Sequence, residues 1–171
     1  MNKIKIFENF LELDFIKNLK FILHNEVPNF IWKSSLSWPD NIRKSSSLIL
    51  ICNLNNEKYI YNYFREKYNN LFSELKDKKI IINYYIHSKL SYIPFHGDED
   101  HVFASTIYLN EHWNVDYGGL FLYQEDNEIK AIVPKFNLAV TNSNNIKHGT
   151  SLTTMDAPYR ETIQIFFNQV K

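Results

Sequence analysis

The run Arg160-Glu161-Thr162-Ile163-Gln164-Ile165-Phe166-Phe167 alternates in character residue by residue. In an extended chain successive side chains point to opposite faces. Ile163, Ile165 and Phe167 therefore form one apolar face, and Arg160, Thr162 and Gln164 a polar one. A strand near the end of a compact β structure turns a polar face inward only where that face lines a cavity, because burying unpaired polar groups is costly. Residues 103–110 repeat the pattern, with Phe103, Ile107 and Leu109 against Ala104, Thr106 and Tyr108. Arg160 can then grip a carboxylate in bidentate fashion, with the Tyr108 hydroxyl donating beside it. An ordinary antiparallel sheet with one solvated face is the plainer alternative.

Around these two segments lie other short β-type runs, at residues 80–86, 92–95, 120–123, 129–133 and 138–141, with 147–151 as a further candidate. Many short strands at this spacing predict a sandwich or barrel of the jelly-roll kind. The first half reads as helical with one strand, at 48–52. From Asp14, the expected N-cap, Phe15, Ile16, Leu19, Ile22 and Leu23 follow helical spacing. A second helix, capped by Asn55 or Asn56, carries Ile60, Tyr63, Phe64, Leu71, Phe72 and Leu75. Helices first and strands later predict an α+β fold with a mostly β core and the N-terminal helices packed on one sheet. The 171 residues are expected to form one domain, with 1–79 as a helical support region and 80–171 as the core.

Composition narrows the function. Lys+Arg and Asp+Glu both number 19, so the strongly basic footprint of a nucleic-acid or anionic-membrane protein is missing. No apolar stretch nears the roughly 18 residues of a membrane span, and no secretory leader is legible, which predicts a soluble, cytoplasmic protein. The single cysteine, Cys52, sits in an apolar run and is expected to be a buried, inert thiol. Glycine is scarce, with Gly97, Gly118, Gly119 and Gly149 the only four. Such scarcity suggests that each stands where the backbone requires it.

Two of those glycines, Gly97 and Gly149, flank candidate chemistry. In His96-Gly97-Asp98 the imidazole and carboxylate lie two residues apart and point to the same side of an extended backbone. His148, beside Gly149, can supply a third ligand. Two histidines and one carboxylate with open positions make the facial triad of non-haem Fe(II) oxygenases. The motif alone is weak, and a surface turn with incidental charges fits it equally well. Its conjunction with the Arg160 strand is more specific.

From about residue 80 to 167 the chain resembles the Fe(II)/2-oxoglutarate-dependent dioxygenases, in particular the prolyl-4-hydroxylase-like branch. The matching blocks come in family order. Tyr85 and Tyr92 precede His96-Gly97-Asp98; then come Ser105-Thr106-Ile107-Tyr108-Leu109-Asn110 and Trp113, Gly118-Gly119-Leu120-Phe121-Leu122 and Ile132-Val133-Pro134-Lys135-Phe136-Asn137. His148-Gly149 and the Arg160 strand close the set. The resemblance implies a double-stranded β-helix, jelly-roll or cupin-like, holding Fe(II) through His96, Asp98 and His148. It implies 2-oxoglutarate anchored at its far carboxylate by Arg160 and Tyr108, with Tyr85 near the chelating end and Thr162 on the same strand face. O2 is the co-oxidant and ascorbate a candidate auxiliary reductant. Tyr85 stands one residue further from His96 than the family pattern, and the loop from His148 to Arg160 is longer.

The implied activity is hydroxylation of an unactivated C–H bond coupled to decarboxylation of 2-oxoglutarate to succinate. The expected substrate is a prolyl residue in a peptide or protein; a free amino acid or other small metabolite stays open. So does a non-catalytic metal-binding or sensor domain, although degenerate relatives tend to lose one of His96, Asp98, His148 or Arg160. The run from His96 to His101 also resembles a di-zinc hydrolase signature, but those enzymes want a histidine where Asp98 stands. Glu99 and Asp100 read as a solvated turn, His24 and His87 as surface or packing residues, and Trp32 and Trp38 as packing over the sheet edge rather than lining a groove. Ser34, Ser35, Ser45 and Ser46 show no nucleophile–base arrangement.

Overall fold

The alternation at the C-terminal end becomes the centre of the fold. In a computed structural model describing residues 4–25, 31–38, 42, 48–98, 101–143 and 146–168, the strand containing Arg160 lies in the middle of a seven-stranded antiparallel sheet. In chain order the elements are β1 (Lys5–Phe7), α1 (Leu13–Asn25), β2 (Trp32–Ser34), β3 (Ile49–Asn53), α2 (Lys58–Leu71), β4 (Lys79–His87), β5 (Ile93–His96) and β6 (Phe103–Tyr108). Then follow β7 (Phe121–Glu125), β8 (Glu128–Ile132), β9 (Ala139–Ser143), β10 (His148–Thr150) and β11 (Arg160–Asn168). The large sheet has the order β1-β9-β6-β11-β4-β3-β2, and a four-stranded sheet the order β5-β10-β7-β8.

The two faces of β11 have different fates. Ile163, Ile165 and Phe167 join Ile80, Ile82 and Tyr84 of β4 in the main core. Phe15, Ile16 and Leu19 of α1 and Ile60, Phe64 and Tyr68 of α2 cover that face. The opposite face looks toward the small sheet and lines a cavity with Arg160, Gln164 and Phe166. Register aligns the side chains in rows across the strands: Arg160 opposite His87, Thr162 between Tyr108 and Tyr85, and Gln164 between Thr106 and Asn83.

Each predicted strand forms, with ends moved by a residue or two, and the helices pack on one sheet as expected. Strands β1 and β2, three residues each, are additional; such short segments carry no measurable period. With β3 they bring the first 79 residues into the large sheet, so that region contributes strands as well as helices. Both predicted caps are corrected. The first helical carbonyl is that of Glu12, which accepts from Ile16 N at 3.0 Å, so Asp14 lies inside the first turn of α1. Glu57 precedes α2, and Asn55 instead extends the β4 ladder by donating to Ile80 O (2.9 Å) and accepting from Ile82 N (2.8 Å). Leu71, expected on the apolar stripe, is exposed, while Tyr68 takes the buried position.

Two short-range signals position the small sheet. Asp126 and Asn127 both have positive φ (51° and 65°) in the two-residue loop joining β7 to β8, the geometry that a tight hairpin with right-twisted strands requires. At Gly149 an added Cβ would lie 2.7 Å from Ile93 O, so only glycine lets β10 run this close to β5. Most of the 28–47 connection, including Ser45 and Ser46, and the turn residues Glu99 and Asp100 lie outside the described residues. Cys52 is buried, and burial pushes its thiol up to about 11, in keeping with an inert side chain. Among the described residues no helix is long and apolar enough to cross a membrane.

Candidate active site

His96 ends β5 and His148 begins β10, and register makes them direct cross-strand partners. Their rings lie 4.5 Å apart, and Asp98, two residues beyond His96, reaches both: Oδ1 is 3.8 Å from His96 Nε2 and Oδ2 3.5 Å from His148 Nε2. One ligand atom from each residue falls within 4.8 Å of the others, the one such group among the described residues. Two small sheet strands and the turn after one of them thus suffice to assemble three donors separated by fifty residues of chain.

The imidazoles are also oriented. His96 Nδ1 lies 2.8 Å from Pro94 O, and His148 Nδ1 lies 3.0 Å from Ile146 O. A carbonyl only accepts, so each Nδ1 carries a proton, and Nε2 is the ring atom turned toward Asp98 and available to a metal ion. Fixing the tautomer through the distal nitrogen is how metal-ligating histidines are held. Burial, and then the neighbouring His148, push the His96 pKa below the ordinary imidazole value, which favours the neutral, ligating form. Phe121 stacks on His148 with centroids 5.4 Å apart, and Asn142 Nδ2 donates to Asp98 Oδ2 at 3.4 Å. Two imidazoles and a carboxylate suit a divalent first-row ion with positions left for other ligands.

The same cavity, of about 510 Å³, extends from this triad to Arg160. Arg160 is 2 % exposed, yet among the described residues no carboxylate pairs with it. Its Nη1 donates to Gly119 O at 2.6 Å and its Nη2 to Thr150 Oγ1 at 3.4 Å, while Nε is buried without a partner. The Tyr108 hydroxyl is likewise buried and unpartnered, with the guanidinium 5.8 Å from its ring centre. Burial pushes the Tyr108 pKa up to about 12 against the opposing pull of Arg160, so the phenol stays a donor. Two unused donors and an uncompensated cation in one buried corner form a receptor for a carboxylate.

The predicted residues fall as follows. His96, Asp98, His148, Arg160, Tyr108 and Tyr85 all line the one cavity. Burial, followed by the Asp98 charge, pushes the Tyr85 pKa well up, leaving a protonated phenol. Thr162 shares the row of Tyr108 and Tyr85 but is fully buried outside the lining, where it accepts from Gln164 Nε2 at 3.4 Å. The β5–β10 register is irregular between His96 and Ile93. The long loop before Arg160 is tied down at Thr153, whose N donates to Ser91 O and whose Oγ1 accepts from Ser91 N, both at 2.9 Å.

One reading changes and the others hold. Trp38 lines the cavity, its ring 6.1 Å from Tyr85, whereas Trp32 packs against Tyr84 over the sheet edge. His87 is wholly buried against Arg160, and His24 is exposed near Glu161. His101 is no second metal ligand: its Nδ1 pairs with Asn168 Oδ1 and its ring packs on Phe166. Thr150, Asn142 and the Gly119 carbonyl escaped the sequence reading, since nothing in their local sequence marks them. His87 had a signal, because it shares the parity of Tyr85 along β4.

No protein-family model matches the sequence, and no curated protein matches it. Solved structures do resemble it. A prolyl-4-hydroxylase from Pseudomonas putida superposes with a TM-score of 0.76 at 14% identity, over 100% of this chain and 95% of that one. A prolyl hydroxylase from Trichoplax adhaerens, in complex with a hypoxia-inducible-factor peptide fragment, gives 0.75 at 17% identity, over 98% and 84%. HygX from Streptomyces hygroscopicus, with nickel and 2-oxoglutarate bound, gives 0.71 at 8% identity, over 99% and 84%. At such identities the likeness speaks for the fold, the double-stranded β-helix of these oxygenases.

Proposed function

We propose that the protein is a non-haem iron, 2-oxoglutarate-dependent dioxygenase that hydroxylates an unactivated C–H bond. The observation that carries this reading is the pairing, within one cavity, of a His-Asp-His donor set with a buried arginine whose Nε, beside an unpartnered tyrosine hydroxyl, has nothing to bind. A 2-oxo acid with a second carboxylate is the ligand with both complementary ends. His96, Asp98 and His148 would hold the iron, and Arg160 with Tyr108 the distal carboxylate. When bound, iron and 2-oxoglutarate together supply the oxidising chemistry, in which O2 and the keto acid give succinate, CO2 and the hydroxylated product.

The chain's own part is placement. Pro94 O and Ile146 O hold the imidazoles with Nε2 toward the ion. Arg160 would hold the cosubstrate by its far carboxylate, leaving the keto acid end for the His96, Asp98 and His148 side of the cavity. Tyr85 remains a protonated donor on the wall between. Trp38, Ile42, Ile81 and Phe166 give the cavity an apolar share that suits a pyrrolidine ring. That, with the prolyl hydroxylases among the similar structures, one of them holding a peptide, supports a peptidyl proline as substrate.

The test is anaerobic addition of Fe(II) and 2-oxoglutarate, with a visible charge-transfer absorption expected, followed by air and assay of succinate. Absence of the absorption, or no succinate above the rate with boiled protein, refutes the dioxygenase reading. Proline-containing peptides and free amino acids, scored by a mass gain of one oxygen, then discriminate the substrate classes.

A further inference from the structure

Beneath the anion corner sits a residue that the ligand scheme leaves unused. His87 ends β4 directly opposite Arg160 in the β4–β11 register, and its side chain is completely buried. Arg160 Nη2 lies 3.1 Å from His87 Nε2 and 3.3 Å from Nδ1. A guanidinium has donors only, so the imidazole must accept, and only a neutral ring has a lone pair to offer. Burial and the Arg160 charge agree in pushing the His87 pKa well below the imidazole value.

This position decides what Arg160 can do. An aspartate or glutamate here would close an ion pair and spend the guanidinium's attraction inside the protein. A hydrocarbon would leave Nη2 only the long contact to Thr150 Oγ1 at 3.4 Å, so the guanidinium would be held less firmly. Histidine accepts without adding charge. With Gly119 O on Nη1 and both Thr150 and His87 on Nη2, the planar group is fixed, and its Nε is left unpartnered in the same corner as the Tyr108 hydroxyl.

We infer that His87 is a positioning residue that holds Arg160 as an uncompensated cation and thereby sets the preference for a 2-oxo acid ending in a second carboxylate. The inference rests on the 2-oxoglutarate reading above and adds a residue through which that anchor is tuned.

The experiment uses Zn(II)-loaded protein, which cannot turn over, and calorimetric dissociation constants for two probes. These are 2-oxoglutarate and 2-oxopentanoate, which ends in a methyl group where the former ends in a carboxylate. In wild type, 2-oxoglutarate should bind about 100-fold tighter, the scale of charge-assisted hydrogen bonds. In His87→Asp the preference should fall to within about threefold, because the new carboxylate takes the guanidinium. His87→Asn, a neutral acceptor, should keep most of the preference, and His87→Leu should lose about tenfold of it. Zn(II) affinity should stay level in all of them. The Asn and Leu pair decides the matter if the Asp variant does not fold. Equal preference in wild type, Asp and Leu variants overturns the role of His87 alone. A wild type that does not distinguish the two acids overturns the anchor itself, and the role of His87 with it.

Discussion

Gly149→Ala should loosen the metal site without touching any of its three donors. A Cβ at this position would meet Ile93 O at 2.7 Å and both Phe95 N and Pro94 C at 3.2 Å, all of them backbone atoms that cannot rotate away. Restoring ordinary contact requires β5 and β10 to separate by about 0.7 Å, given a usual approach of about 3.4 Å or more. The adjacent rung of that ladder is the His148–His96 pair. The separation exceeds the roughly 0.5 Å within which a functional constellation must be held. Overpacking of this kind costs about 1–3 kcal/mol, and each kcal/mol is worth about 2–4 °C in Tm for a chain of this size. We therefore expect the metal-free protein to melt several degrees lower. Co(II) affinity, followed by the visible absorption of the bound ion, should fall about 10- to 100-fold, as when groups that orient metal ligands are lost. A variant that melts within about 1 °C of wild type and binds Co(II) equally well would show that the strands part freely. The close approach at Gly149 would then not be what holds His96 and His148 together.

Tyr108→Phe should leave Tm unchanged or slightly raised, because the hydroxyl it removes is buried without a partner. The same variant should bind 2-oxoglutarate about tenfold more weakly; unaltered affinity, measured by calorimetry on Zn(II)-loaded protein, would remove Tyr108 from the anchor. His87 gives a pH signature. Its folded pKa lies well below its unfolded value of about 6.5, so below that pH the unfolded chain takes up a proton that the folded one refuses. Stability of the metal-free protein should fall as pH drops below about 6.5, by up to about 1.4 kcal/mol per unit for this one site. Denaturant titrations should show a correspondingly shallower fall in His87→Asn, and identical slopes would refute the assignment. Asn137→Gly keeps the positive φ of 58° but removes the bonds from Leu11 N (2.7 Å) and to Leu11 O (2.8 Å). Leaving those two buried groups unpaired should cost about 2–4 kcal/mol, and a change in chemical-denaturation midpoint too small to register would sink the expectation.

How much of the site could be read in advance follows from the ranges of the forces involved. Parity along a strand is local, so the cavity face of β11 and the reach of Asp98 beside His96 were legible from a few residues each. Helix caps were misjudged at Asp14 because α1 begins earlier, from the Glu12 carbonyl, and at Asn55 because its side-chain amide bonds the β4 backbone instead. Trp38 was misread because its neighbours, in the cluster of Ile49 and Ile51 of β3 and Tyr85 of β4, come together only in the folded sheet.

By itself the sequence determined the alternation that separates core from cavity, the two-residue step joining His96 to Asp98, and the presence of a cation on the inward face. It did so because pleat and turn geometry are properties of neighbouring residues. Tertiary structure alone decided that His148 pairs with His96, that Gly119, Thr150 and His87 surround Arg160, and that no carboxylate among the described residues neutralises it. Those facts depend on strand register between distant segments. A one-residue slip in that register would turn every side chain to the other face.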